Sequence, residues 1–108
     1  GSEVVAVLTY RLHPSFLEIV FLVCGHRGCG HGRRLMAHAV AIGAGENKGF
    51  VVTKGSRYAV GFFQRCGFEV FDREAMYGLE RAAVERQIYM FGSSTLMVRA
   101  TGSPPLRK

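Results

Sequence analysis

The 108-residue sequence has little of what ties small secreted domains together, with three cysteines, an odd number, and no secretory leader ahead of its first apolar segment. Reduced thiols rather than a disulfide framework, and an intracellular compartment, are therefore expected. No apolar run is long enough to cross a bilayer: the longest, around Phe16–Cys24, is interrupted by Glu18. Acidic residues are also scarce, eight against fourteen Lys and Arg, giving a net charge of +6. That balance suits a polyanion, either nucleic acid or a phosphate-rich cofactor, and equally a solvated basic surface. What is abundant is apolar, 48% of residues with twelve aromatics, enough for one core. A single soluble domain over residues 3–101 is expected, with a flexible tail at 102–108. Gly1-Ser2 reads as a tag remnant.

Residues 3–11, EVVAVLTYR, and 16–24, FLEIVFLVC, are rich in β-branched and aromatic residues, and His13, Pro14 and Ser15 lie between them. The pair predicts two antiparallel strands joined by a short turn. Between Gly32 and Gly43, Leu35, Met36, Ala39, Val40 and Ile42 recur with helical spacing, and Gly43, Gly45 and Asn47 end that helix. A strand is expected at 49–53, a second helix at 57–65 stopped by Gly67, and a closing strand at 88–100. Residues 69–86 mix strand and charged helix or loop patterns. The order calls for a mixed α/β sheet with helices packed on it.

The turn Arg27–Gly32, RGCGHG, joins the second strand to the first helix. Glycines at 28, 30 and 32 let backbone N–H groups approach a ligand, and the helix start adds unpaired N–H groups and the positive end of its dipole. A pyrophosphate fits such a turn, and so does mere tight packing. No Gly-Lys-Ser or Gly-Lys-Thr follows, which excludes a P-loop. The acidic residue that would end the next strand of a dinucleotide fold is replaced by Thr53 and Lys54. Arg33 and Arg34 open the helix where a cation is unfavourable, which a nearby anion would offset.

Arg27, Gly30 and Gly32 match the R/Q-x-x-G-x-G/A signature of the GNAT superfamily, and Tyr58–Phe68, YAVGFFQRCGF, resembles its next helix and turn. FLEIVF, GRRLM and STLM resemble, in order, the catalytic strand, helix start and terminal strand of the general-control-nonderepressible branch of histone lysine acetyltransferases. The resemblance implies a GNAT fold, a mixed, mostly antiparallel sheet flanked by helices, with the elements that usually precede residue 3 missing or truncated. It implies acetyl-coenzyme A as cofactor, its pyrophosphate held at Arg27, Gly28, Gly30, Gly32 and Arg33. Its pantetheine would run along Leu22, Val23 and Cys24, with Thr53, Tyr58, Ala59 and Phe62 beside it. A histone or other lysine-bearing tail, chromatin-complex partners, no membrane and a nuclear location follow as expectations, with direct nucleic-acid binding left open. A small-molecule amine acetyltransferase and a non-catalytic chromatin-binding scaffold are the alternatives.

From its position alone, Glu18 reads either as an outward-facing residue of a half-exposed strand or as a buried carboxylate kept for chemistry, its apolar setting raising its pKa toward the range of a general base. The resemblance assigns it as that base, and assigns the backbone N–H of Leu22 to polarise the acetyl carbonyl. No metal is expected, although Cys24, His26, Cys29 and His31 form a compact cluster. His13 and His38 show no evident partner in the sequence.

Overall fold

The computed structural model of the protein describes residues 6–24, 31–88 and 94–102. Its elements follow as β1 (Ala6–Leu12), β2 (Phe16–Cys24), α1 (His31–Gly45), β3 (Phe50–Gly55), α2 (Val60–Arg65), β4 (Glu69–Val70), β5 (Ala75–Met76), β6 (Leu79–Glu80), α3 (Arg81–Gln87) and β7 (Thr95–Ala100). The five-stranded sheet has the order β1-β2-β3-β7-β4, and β5-β6 form a separate hairpin. Among the described strands only β2 and β3 are parallel, because α1 carries the chain back across the sheet between them.

The β1–β2 hairpin closes over Pro14 and Ser15, with the His13 amide donating to the Phe16 carbonyl at 2.9 Å. Alternation along the strands then divides the core. Phe16, Val52, Leu96 and Val98 face Phe71, Met76, Val84 and Ile88 under the hairpin and α3. On the other face, Leu17, Ile19, Val51 and Met97 meet Met36 and Ala39 of α1 and Phe63 and Phe68 around α2. Burying an aromatic or branched side chain of this kind contributes about 1.5–3 kcal/mol each. α1 therefore lies against β1, β2 and β3 and fixes where its first turn stands relative to the end of β2.

The expected second helix starts later, at Val60, since residues 57–59 form a turn in which Ser56 O accepts from the amides of Ala59 and Val60. The expected closing strand is shorter, beginning at Thr95, and Ile88 instead caps α3 in extended conformation. The stretch that mixed strand and helix patterns opens with β4, which pairs with β7, and continues as a two-residue-per-strand hairpin turned by Tyr77 and Gly78, both at positive φ, followed at once by α3.

Candidate active site

Glu18 sits in the middle of the sheet, opposite Arg11 on β1 and Val52 on β3, and is 2% exposed. It faces the same side as Phe16 and Val52, under α3. A carboxylate so placed must find partners, since an isolated buried charge is prohibitively costly. Arg11 supplies two contacts to Oε1, from Nε at 2.9 Å and Nη2 at 2.7 Å, and the same Nη2 also donates to the Gln87 carbonyl at the end of α3. His13 Nε2 meets Oε1 at 2.7 Å, and the imidazole is held by stacking on Phe16 at 4.6 Å between ring centroids. The environment expected to be apolar is thus a buried carboxylate gripped by a guanidinium and an imidazole. His13, which showed no partner in the sequence, has one here: the four-residue turn folds position 13 back over position 18.

Just beyond Glu18 the sheet opens. The β2–β3 pairing ends at Ile19 opposite Thr53, although β2 runs on to Cys24 and stays paired with β1 on both sides of Val20. The β1 register also slips there: Tyr10 pairs Ile19 and Thr9 pairs Phe21, so Val20 is the extra residue of a β-bulge. Past the fork, over residues 20–24, the β3-facing edge of β2 pairs with no strand among the described residues. Thr53 lies at the apex, 3% exposed, with its hydroxyl donated to the Ile19 carbonyl at 3.2 Å. The hydroxyl that the resemblance set beside the cofactor thus also fastens the two strands where they part.

Leu22, Val23 and Cys24 form the open part of β2. Arg27, Gly28 and Gly30 lie outside the described residues, and Gly32 is in the first turn of α1, at the fork end of the sheet. Arg33 is exposed and borders a cleft of about 550 Å³ between α1 and the end of α2, together with Arg65, Cys66 and Arg99. Burial pushes the Cys66 thiol up in pKa against the opposing pull of Arg33, Arg99 and Arg65, which suits an inert structural thiol. Ala59 and Phe62 are half-buried against the α1-side core, Phe62 meeting Phe63 edge-on at 5.4 Å. Tyr58 points to solvent, 81% exposed, under the Arg57 guanidinium. The structure thus gathers Glu18, Thr53 and the open stretch of β2, while Tyr58 stands apart from them in solvent.

The family model for GNAT acetyltransferases matches residues 1–68, well over half of the chain. The chain belongs to the GNAT acetyltransferase family. Among solved structures, this GNAT chain superposes on Tetrahymena GCN5 with a TM-score of 0.76 at 21% identity, over 94% of its own length and 63% of that chain. The catalytic domain of the Tetrahymena GCN5 histone acetyltransferase in complex with coenzyme A gives 0.67 at 22% identity, covering 90% and 58%. A Bacillus subtilis acetyltransferase in complex with coenzyme A gives 0.63 at 15% identity, covering 93% and 71%. At these identities the likeness is one of fold, the GNAT fold, and the chain spans about three-fifths of the GCN5 chains. A comparison with curated proteins finds no match.

Arg11 and His13 are the site residues that sequence reasoning missed. The signal was present in the hairpin: once Leu12 pairs Leu17 across a four-residue turn, Arg11 must stand opposite Glu18.

Proposed function

We propose that this chain is the cofactor-binding and catalytic core of an acetyl-coenzyme A-dependent N-acetyltransferase whose acceptor is a lysine amine of a protein, a histone tail being the leading substrate class. One observation carries the reading: a buried carboxylate, Glu18, stands directly below a fork at which β2 leaves β3 and frees its backbone edge. Such an edge fits an arm that itself carries amide groups, which can add to it as a strand would, and this is the character of pantetheine. The glycine turn leads from this edge into α1, where the pyrophosphate belongs. The cofactor, when bound, supplies the acetyl group as a thioester.

The chain's own residues have two tasks. A lysine amine with a pKa of about 10.4 arrives charged and must lose a proton before it can attack. Glu18, directly or through a water, takes that proton. Leu22, midway along the freed stretch, is assigned the backbone N–H that meets the oxygen gaining negative charge. The fold shared with the Tetrahymena histone acetyltransferase supports a lysine acceptor, and a nuclear, chromatin-associated setting follows from that substrate. Incubation with labelled acetyl-coenzyme A and a panel of histone tails, nucleosomes and small amines tests the proposal. Label on histone lysines is expected. Label on small amines alone would replace the substrate class, and no transfer to any acceptor, with coenzyme A still bound, would leave a non-catalytic scaffold.

A further inference from the structure

We infer that His13 is a positioning residue for Glu18: with Arg11 it clamps one carboxylate oxygen, and a second proton on its imidazole turns the clamp into a brake on proton uptake. The inference rests on the proposed role of Glu18 as base and goes beyond it, because His13 and Arg11 reach Glu18 only through the folded hairpin.

Three observations carry it. His13 Nε2, Arg11 Nη2 and Arg11 Nε all converge on Oε1, at 2.7, 2.7 and 2.9 Å. At that separation one proton must lie between Nε2 and Oε1, and with Glu18 ionised it belongs to the imidazole, so Nε2–H donates and the tautomer is set. The imidazole is itself held: its ring stacks on Phe16, its backbone amide is tied to the Phe16 carbonyl, and its side chain is only 13% exposed. A carboxylate fixed at one oxygen presents a defined direction to an incoming amine, as catalysis by proton transfer requires.

The brake follows from charge. A neutral imidazole donates a hydrogen bond to Oε1 without adding net charge. An imidazolium places a second full cation beside the one Arg11 already supplies, and a carboxylate facing two cations gives up its negative charge less readily than one facing a single cation. Among the described residues, the charged groups around His13 include Arg11 on β1, Glu18 on β2 and Lys48, whose Nζ meets the Pro14 carbonyl at 3.3 Å. Lys54 on β3 and Glu85 on α3 lie on the same sheet side and face each other at 3.9 Å. Among these described groups His13 is the only imidazole, and so the one side chain that can either donate to Oε1 as a neutral group or face it as a cation.

Two variants separate the hydrogen bond from packing and from titration. His13→Phe keeps the ring against Phe16 and removes the donor. It should lower kcat/KM by about 10–100-fold, the worth of one hydrogen bond to a charged group, with coenzyme A affinity unchanged by calorimetry. His13→Gln keeps an N–H donor and cannot become charged, so its loss at pH 8 should be smaller, about two- to five-fold. Its rate should fall less steeply than that of wild type as the pH is lowered from 8 to 5. A readout independent of turnover is the imidazole Nε2–H proton in nitrogen-edited NMR of the free protein. A downfield, slowly exchanging signal is expected in wild type, absent in His13→Phe and lost in Glu18→Ala. Wild-type kinetics for His13→Phe, parallel pH profiles for wild type and His13→Gln, or an Nε2–H signal indifferent to Glu18 would each overturn the inference. Absence of any acetyl transfer by wild type would overturn the proposed function instead, while the NMR signal still decides whether the clamp exists.

Discussion

Replacing Arg11 by Leu keeps an apolar stem on β1 and removes the guanidinium from Glu18. Breaking a fully buried ion pair by deleting one partner costs about 3–5 kcal/mol, because the other charge is left uncompensated. An exposed pair is worth only about 0.2–1 kcal/mol. The present pair lies between these limits: the Glu18 side chain is 3% exposed, that of Arg11 44%, and His13 still reaches Oε1 after the substitution. A loss of about 2 kcal/mol at pH 7.5 is expected, with a fall in Tm of about 8–16 °C for a domain of this size. The Gln87 carbonyl loses the same guanidinium, so part of the effect belongs to α3. Urea denaturation of wild type, Arg11→Leu, Glu18→Leu and the double variant closes the cycle. In the double variant no charge is stranded, so it should be more stable than the sum of the single losses predicts, by at least about 1 kcal/mol. Additivity within about 0.3–0.5 kcal/mol would refute the coupling and with it the reason given for a carboxylate at the centre of this sheet.

Glu18→Gln should retain coenzyme A affinity while turnover falls about 10²–10⁴-fold, the deficit shrinking as the pH is raised from about 6.5 to 9.5 and free amine becomes available; a wild-type rate at every pH would remove Glu18 from the mechanism. Gly67 follows α2 at φ +89°, and a Cβ there would meet the Arg99 guanidinium only at ordinary contact distance, 3.4 Å. Gly67→Ala should therefore destabilise through its backbone, by about 1–2 kcal/mol, and Gly67→Asn by less, a ranking that thermal unfolding can contradict. Burial raises the Cys66 thiol pKa, so at pH 8 its alkylation by iodoacetamide should be slower in the folded protein than in urea, with peptide mapping separating it from Cys24 and Cys29. Equal rates in both states would show that the thiol is not shielded.

The sequence by itself determined the order of the main elements through composition, turn residues and helical spacing. Runs rich in β-branched and aromatic residues marked β1 and β2, and the β2 limits at Phe16 and Cys24 coincide with the expectation. The helical spacing of Met36 and Ala39 put both on the face of α1 that is buried. It also showed that Glu18 interrupts an apolar strand, the one anomaly that pointed to chemistry. Local pattern stops where a residue's role depends on what lies across the fold. The hairpin of β5 and β6 has two residues per strand, too few for a period to register, and its turn needed the positive φ of Tyr77 beside Gly78. Thr53 enters only as a cofactor contact implied by the family resemblance, and nothing in the local pattern gives its hydroxyl a partner. Only the parallel pairing of β2 with β3, which are brought together by α1 from 34 positions apart, gives that hydroxyl the Ile19 carbonyl. The fork and the bulge at Val20 are likewise properties of register between strands, invisible along one chain. Arg11, His13 and Glu18 are separate letters until the turn at Pro14 and Ser15 folds β1 back on β2, and burial under α3 then makes their contact obligatory, since a carboxylate removed from water must be met by donors.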